Sequence, residues 1–160
     1  MSLEQKINNL ETDLHIMGTL VLESLVSAVR ALEDKDTAKA SEVMDKDDEI
    51  DDAYMKIDQD WFELMATEQP VASDLRLSTS ILQASLHLER LGDLSVYLGK
   101  TTHEIHDLPI PESLHKIVVE MGDMVIDMAS SALEGLKNRD AELALSTARK
   151  DELINSLYNK

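Results

Sequence analysis

The stretch from Asp47 to Asp93 decides the fold, and it reads DDEIDDAYMKIDQDWFELMATEQPVASDLRLSTSILQASLHLERLGD. It contains two acidic pairs, Asp47/Asp51 and Glu89/Asp93, whose midpoints at residues 49 and 91 are equally distant from Pro70. If both flanking segments are helices, a rise of about 1.5 Å per residue places each pair about 30 Å from a turn at Pro70. The stretch therefore predicts a helical hairpin that brings four carboxylates to one level.

Apolar residues recur at helical spacing on both sides of this hairpin, and aromatic residues make up only 3% of the chain. Both features indicate an all-α protein, because strands favour aromatic and β-branched residues. We predict five helices: an opening helix to about Leu32, one from about Thr37 past Leu64, one from 71–73 to near His106, one over Glu112–Leu136 and one over Asp140–Tyr158.

Three apolar seams are predicted to face the core. In the first helix the seam is Leu3, Ile7, Leu10, Leu14, Met17 and Val21; in the second it is Val43, Ile50, Tyr54, Ile57, Trp61 and Leu64; in the third it includes Leu75, Leu82, Leu86 and Val96.

The second half of the chain repeats part of the first. Adding 104 to each position from Met17 to Lys56 aligns 40 residues without a gap, and Gly18, Asp36 and Tyr54 fall on identical residues. This match indicates an internal duplication. We predict a three-helix bundle over residues 1–107, a linker over 108–111, and over 112–160 the first two helices of a second bundle whose third helix is missing.

The missing helix would have occupied roughly residues 174 to 210, a range set by the 104-residue offset. Two interpretations remain open. The chain is a fragment of a longer protein, which we favour, or another chain fills the gap. If the chain is a fragment, its uncovered apolar stripes predict that the helices dimerise or swap.

Composition excludes several classes of partner. Thirty-two acidic residues against 15 Lys and Arg give a formal charge of −17, which repels nucleic acid and anionic lipid. The chain has no cysteine for a disulfide or thiolate site. No window approaches 18 uninterrupted apolar residues, so we expect no membrane insertion. A cytoplasmic protein is the default expectation.

Asp47 and Glu89 are predicted at the margins of apolar seams, where a carboxylate needs a partner because an uncompensated buried charge costs several kcal/mol. One interpretation is that the acidic run is a solvated face. The other is a metal site, in which an all-oxygen ligand set favours Mg²⁺, Mn²⁺, Ca²⁺ or ferric iron, with zinc less favoured. A di-iron motif at Glu112-x-x-His115 is attributed to chance, because such bundles need two copies.

Two motifs closely resemble the PhoU family of phosphate-signalling proteins. They are Gln69-Pro70-Val71-Ala72-Ser73-Asp74-Leu75-Arg76 and Glu89-Arg90-Leu91-Gly92-Asp93, preceded by Asp47-x-x-x-Asp51. The resemblance implies two tandem three-helix bundles and (Glu/Asp)-x-x-x-Asp motifs that hold iron, zinc, magnesium or manganese. By that resemblance the metal ligands are Asp47, Asp51, Glu89, Asp93 and, in the second bundle, Asp151. Asn155 stands where the family usually has Asp.

The resemblance also implies a regulator rather than an enzyme. Such a regulator would dock on the ATPase of a phosphate ABC transporter and on a sensor histidine kinase, and would repress the phosphate-starvation response. Two alternatives are a dinuclear-metal oxidase or hydrolase that uses the same carboxylates, and a purely structural bundle whose acids are solvated.

Overall fold

A computed structural model describes residues 1–159, which form helices and, within that range, no strand. The all-α prediction is confirmed. The helices are α1 (Leu3–Asp34), α2 (Thr37–Asp45), α3 (Asp47–Glu68), α4 (Ala72–Ile105), α5 (Glu112–Asn138), α6 (Ala141–Arg149) and α7 (Asp151–Tyr158).

The predicted hairpin is formed by α3 and α4, which contact each other. Helix α3 ends at Glu68, and Gln69 follows it in the left-handed region with φ 48°. Pro70 is buried, and α4 begins two residues later at Ala72. The turn lies at Pro70 because the proline ring has no backbone N–H to continue the helix.

Helix α1 is the central element of the core. It begins with a capping box, in which Gln5 N donates to Ser2 Oγ and Ser2 N donates to Gln5 Oε1. Its predicted seam is buried from Ile7 to Val21 and packs against residues of α3 and α4. By length and composition α1 could also cross a membrane, but the core helix of a soluble protein passes the same test. Its apolar face is accounted for by this packing.

The prediction of one continuous second helix is wrong, because α2 and α3 are separated at Lys46. Lys46 has φ −92° and ψ 0°, and its carbonyl accepts from Glu49 N at 3.2 Å. The new helix then opens with Asp47, Asp48 and Glu49, whose charges suit a helix N-terminus. The break was not predicted because no Gly or Pro lies at this point of the sequence.

The seam predicted for α4 is also wrong in part. Leu75 and Leu86 are 41% and 39% exposed, although Val96 is buried. The buried face consists mainly of small residues: Ser78, Ile81, Ser85, Leu88, Gly92, Ser95, Val96, Gly99 and Thr102. Their hydroxyl groups donate to backbone carbonyls of the preceding turn, for example Ser85 Oγ to Leu82 O at 2.8 Å. Small side chains satisfied in this way let α4 approach its neighbours closely.

The 104-residue offset recurs in the helix ends. Lys35 and Arg139 both end a helix in the left-handed region, each with φ 53°. Asp36 and Asp140 then cap the following helices, accepting from the backbone N–H three residues later at 3.0 Å. The predicted fifth helix breaks at Lys150, as the second breaks at Lys46. These recurrences support the predicted duplication.

Helices α1 and α5 cross through a reciprocal pair of glycine contacts. A Cβ atom on Gly18 would lie 2.8 Å from Leu133 Cδ2, and one on Gly122 would lie 2.9 Å from Val29 Cγ1. The offset of 104 carries Gly18 onto Gly122 and Val29 onto Leu133. The two halves of the chain therefore meet by equivalent surfaces, as in a two-fold interface.

Candidate metal centre

The four predicted ligands of the first bundle are positioned by the close approach of α3 and α4. Ile50 lies against the bare backbone of Gly92, where a Cβ atom would be 3.1 Å from Ile50 Cγ2. Further along, a Cβ atom on Gly99 would be 3.0 Å from Ala40 O of α2. Ile50 stands between Asp47 and Asp51, and Gly92 between Glu89 and Asp93, so the contact sets both acidic pairs at one level.

Two of the four acids lie deeper than the others. Asp47 and Glu89 are half-buried, whereas Asp51 and Asp93 are exposed. Asp47 opens α3 immediately after the break at Lys46, and Glu89 lies between the buried Ser85 and Gly92 along α4. The inner acids thus stand at the margins of the packed faces, as the sequence predicts for carboxylates that need a partner.

The acids act on one another electrostatically. Burial raises the pKa of Asp47 above its ordinary value, and the charges of Asp51 and Asp93 raise it further. Burial likewise raises the pKa of Glu89, with further increases from Asp93, Asp51 and Asp47. Both shifts arise because the ionised carboxylate is poorly solvated and is repelled by neighbouring negative charges, which favours the protonated form. The charges of Asp51 and Asp93 therefore act on both of the inner acids.

Compensating positive charge is scarce around these acids. Lys100 lowers the pKa of Asp47 and Arg90 lowers that of Glu89, but in both cases the net shift is upward. Within residues 1–159 none of the four carboxylates forms an ion pair. Asp47 Oδ1 is buried and has no hydrogen-bond partner there. Lys100 was not predicted to lie near these acids, although its position seven residues after Asp93 places it on the same helix face.

The fit to a metal ion is incomplete in geometry. In the described part of the chain no three His, Asp or Glu side chains converge into a group that could hold one ion. The donor chemistry nevertheless suits a hard cation, because every donor is a carboxylate oxygen and one of them is buried without a partner. The ligand assignment of Asp47, Asp51, Glu89 and Asp93 stays a prediction.

Asp151 has different surroundings. It is exposed at the first residue of α7, and Asn155 Nδ2 donates to its Oδ2 at 3.0 Å. The amide of Asn155 thus takes the place of the second acid in the i, i+4 pair. The charges that shift the pKa values of Asp47 and Glu89 do not include that of Asp151.

Histidines outside the acidic residues of α3 and α4 have other contacts. His115 Nε2 lies 2.9 Å from Glu33 O, and Glu112 pairs with Lys116, so the Glu112-x-x-His115 motif forms no site. His103 Nε2 lies 3.0 Å from Ser41 Oγ. These contacts agree with the attribution of the motif to chance.

The fold and the acidic residues define a class of protein: an all-α protein built from a repeated antiparallel helical unit, with four carboxylates at one level where α3 packs against α4. Comparison with known families narrows that class. The PhoU domain family matches residues 14–102 and 118–160, and the two matched segments begin 104 residues apart. The chain belongs to the PhoU family.

Several relatives carry the name phosphate-specific transport system accessory protein PhoU homolog. The one from Pseudomonas putida is 32% identical over 153 residues, which cover 96% of this chain and 60% of the relative. The one from Streptococcus pneumoniae is 32% identical over 156 residues, covering 96% of this chain and 70% of the relative. The chain thus spans less than two thirds of the length of the Pseudomonas putida relative and somewhat more of the Streptococcus pneumoniae relative.

Solved structures agree with the sequence matches. The crystal structure of PhoU from Pseudomonas aeruginosa superposes with a TM-score of 0.94 at 31% identity and covers 99% of this chain and 76% of that one. The phosphate transport system regulatory protein PhoU from Streptococcus pneumoniae gives a TM-score of 0.90 at 29% identity, covering 99% and 74%. The PhoU-like architecture predicted from the motifs is confirmed.

Proposed function

We propose that this protein is an accessory regulator of phosphate-specific transport. Membership of the PhoU family carries this proposal, and the names of the relatives supply the transport system. In the finer form of the proposal the protein acts in the cytoplasm, docks on the ATPase of the phosphate ABC transporter and on a sensor histidine kinase, and represses the phosphate-starvation response. A formal charge of −17 favours docking on proteins over contact with nucleic acid.

A reporter assay tests the regulatory role. In a bacterium that lacks its own PhoU-family gene, this chain should restore repression of a phosphate-starvation reporter when phosphate is plentiful. Co-purification with the transporter ATPase and with the kinase, each tested separately, would identify the partner. A reporter that stays fully active despite normal levels of the folded chain would contradict the proposal.

We further propose that Asp47, Asp51, Glu89 and Asp93 hold a metal ion, with Mg²⁺, Mn²⁺, iron and Zn²⁺ as the candidates. The support is the unpartnered Asp47 Oδ1 and the upward pKa shifts of the two inner acids. A bound cation would neutralise these acids and tie α3 to α4. The exposed side chains of Asp51 and Asp93 would rotate towards the inner pair, since in the described residues the four acids are not yet converged.

Calorimetric titration of the metal-free protein with each ion tests the site. Asp51→Asn and Asp93→Asn should each weaken binding by about tenfold or more, because a ligand is lost whereas the helix surface is little changed. Asp58→Asn removes the same charge from an exposed position of α3 and is the matched control. If all three variants bind like the parent protein, the ligand assignment is wrong. Asp151→Asn should leave this site unchanged.

The proposed homodimer rests on the exposed apolar side chains of α5, α6 and α7. Leu114, Leu145, Leu153 and Tyr158 are each more than half exposed. In the first half of the chain α4 packs on α2 and α3, which are the counterparts of α6 and α7. Light scattering after size exclusion should give a dimer mass for the parent and a monomer mass for Leu145→Glu/Leu153→Glu. A monomeric parent would contradict this part of the proposal.

No observation favours the dinuclear-metal enzyme. Its histidine motif is already engaged, because His115 contacts the carbonyl of Glu33. Oxygen consumption or ester hydrolysis by the metal-loaded protein, lost in Glu89→Ala, would be the result that supports an enzyme over a regulator.

A further inference from the structure

The leucine stripe that the sequence predicts for the core side of α4 faces away from the core. Leu75, Leu82 and Leu86 recur at spacings of seven and four, so they share one face of the helix. Leu75 and Leu86 are exposed and Leu82 is half-buried, because small residues occupy the packed face of α4. The stripe is thus only partly covered within residues 1–159.

A second apolar group lies on α3. Phe62 is the single phenylalanine of the chain, and it is 70% exposed. Met55, seven residues earlier and therefore on the same helix face, is exposed as well. Aromatic residues and Met are enriched where proteins contact one another, so this placement favours an interface over a solvated surface.

The acidic pairs show that the two apolar groups lie on neighbouring sides of their helices. Asp51 of α3 raises the pKa of Glu89 of α4, so the sides that carry these two acids are adjacent. Phe62 follows Asp51 by eleven residues, about three turns, and Leu86 precedes Glu89 by three. Each apolar residue therefore shares a side of its helix with the acid.

The contact of Ile50 with Gly92 sets the register of the antiparallel hairpin. Residue numbers that stand at one level add up to about 142, so Phe62 is offset from Leu82 by about two residues, or about 3 Å along the axis. The apolar groups of the two helices thus form one surface. We name it the hairpin face, and it consists of Met55, Phe62, Leu75, Leu82 and Leu86.

The hairpin face is surrounded by uncompensated negative charge. Residues 47–93 include 12 acidic residues and three Lys or Arg, a formal surplus of nine negative charges. The one lysine, Lys56, is paired with Asp13 and Asp60. Six acids of α3 take part in no ion pair in the portion of the chain described here: Asp47, Asp48, Glu49, Asp51, Asp52 and Asp58.

This charge determines which partner can cover the apolar residues. A second copy of the chain would bring the same surplus to the contact, and an anionic membrane would add further negative charge, so both are repelled. A protein segment with Lys and Arg beside an apolar stripe is complementary in both respects. A shallow surface between two helices accepts such a segment as an amphipathic helix.

We propose that the hairpin face docks a basic amphipathic helix of a partner protein. Apolar side chains of that helix would pack on Phe62 and on the leucine stripe, and its Lys and Arg side chains would lie opposite the unpaired acids of α3. The proposal rests on the regulatory docking role proposed above and assigns a surface and a partner chemistry to it.

A synthetic helical peptide tests the hairpin face directly. The probe contains Leu and Lys, with the leucines at spacings of three and four, and is titrated into the full chain in about 0.15 M NaCl to screen distant charges. Trp61 is the only tryptophan of the chain and precedes Phe62, so its fluorescence reports binding at this face. We expect saturable binding of one peptide per chain. A peptide of equal charge with Ser in place of Leu should bind at least about tenfold more weakly.

Two variants locate the binding surface. Phe62→Ser and Leu86→Ser should each weaken peptide binding by about tenfold, which is about 1.4 kcal/mol. Both side chains are exposed, so the fold should be kept, and circular dichroism checks this. Ile16→Ser removes an exposed apolar side chain from α1 and is the matched control, which should bind like the parent.

Several results would overturn the proposal. They are the absence of saturable binding, equal binding of the Leu and Ser peptides, and equal losses in Phe62→Ser and Ile16→Ser. A parent dimer that becomes a monomer in Phe62→Ser/Leu86→Ser would assign the hairpin face to a second copy instead.

The phosphate-starvation reporter distinguishes failure of the hairpin face from failure of the proposed function. If the parent restores repression, Phe62→Ser/Leu86→Ser should lose it at normal protein levels, and retained repression would overturn the docking proposal. If the parent does not repress the reporter, the proposed function fails, and the peptide titration alone decides whether the hairpin face is a docking surface.

Discussion

At the scale of single residues, Asp47 combines partial burial, like-charged neighbours and an oxygen without a partner. Sequence spacing located it correctly at a core margin, three residues before Ile50. Spacing could not show that Oδ1 is unpaired or that Lys100 is the cation opposing it, because both depend on how α3 and α4 are rotated. The position of Asp47 at a core margin was thus accessible from sequence, whereas its electrostatic environment was not, and the ligand assignment stays a prediction.

The raised pKa values predict how metal-free stability depends on pH. A carboxyl whose pKa is higher in the folded state than in the unfolded state binds more protons when folded, so stability falls as pH rises through this interval. Asp47 and Glu89 should therefore destabilise the chelator-treated protein once both are ionised. Asp47→Asn should be more stable than the parent near pH 7, by at least the few tenths of a kcal/mol that a like-charge pair costs.

Denaturant unfolding in the presence of chelator at several pH values between about pH 4 and pH 7 measures this effect, because the ordinary pKa values of Asp and Glu lie near the lower end of that interval. The gain from Asp47→Asn should shrink towards the acidic end, where the parent carboxyl is also neutral. Asp58→Asn serves as the control for the loss of one charge. A gain of equal size at all pH values would show that ionisation of Asp47 is not its cause.

At the scale of elements, prediction succeeded where apolar side chains alone form the interface. The seams of α1 and α3 lie on the core because Leu, Ile, Val and Met face it directly, although Leu3, Tyr54 and Trp61 are only half-buried against it. The seam of α4 was misplaced because Ser and Thr were counted as polar, although their hydroxyls bond to their own helix. The break at Lys46 was missed because it is a turn without Gly or Pro. In α4 and at Lys46, local packing and local turns determine the structure more than the spacing of apolar residues does.

The glycines of α4 and α5 offer a paired test of close packing. A Cβ atom on Gly99 would lie 3.0 Å from the backbone oxygen of Ala40, which cannot move without displacing α2. A Cβ atom on Gly135 would meet its nearest atom at 3.4 Å, an ordinary contact. Gly-to-Ala replacement within a helix otherwise contributes about 1 kcal/mol. Gly135→Ala should raise the free energy of unfolding, and Gly99→Ala should lower it, by about 1–3 kcal/mol.

Denaturant titration of both variants beside the parent measures the two effects under identical conditions. Because the chemical change is the same, helix propensity cancels in the comparison. If Gly99→Ala were as stable as Gly135→Ala, α2 and α4 would not be packed as closely as described.

At the scale of the whole molecule, the charge of −17 opposes compaction. Salt screens repulsion between exposed charges, so the melting temperature should rise as NaCl is increased from about 0.01 M to about 0.15 M. At equal ionic strength MgCl₂ should raise it further if the carboxylates on α3 and α4 bind the ion, because a ligand that binds only the folded state stabilises it.

The additional effect of magnesium should disappear in Asp51→Asn/Asp93→Asn, whereas the effect of NaCl should persist. Thermal unfolding followed by circular dichroism measures both. Equal melting curves in NaCl and MgCl₂ would mean that magnesium acts only by screening, and other ions would then have to be tested at the cluster.

The crossing of α1 and α5 bears on the origin of the chain. Leu133 packs on Gly18 and Val29 packs on Gly122, so each half of the chain contacts the other through the same pair of positions. A protein consisting of one repeat would already carry both halves of this contact and could associate with an identical copy through it. Fusion of two such genes would turn that association into an intramolecular one. The descendants could then diverge, with one half keeping its acidic pair and the other exchanging an acid for Asn155.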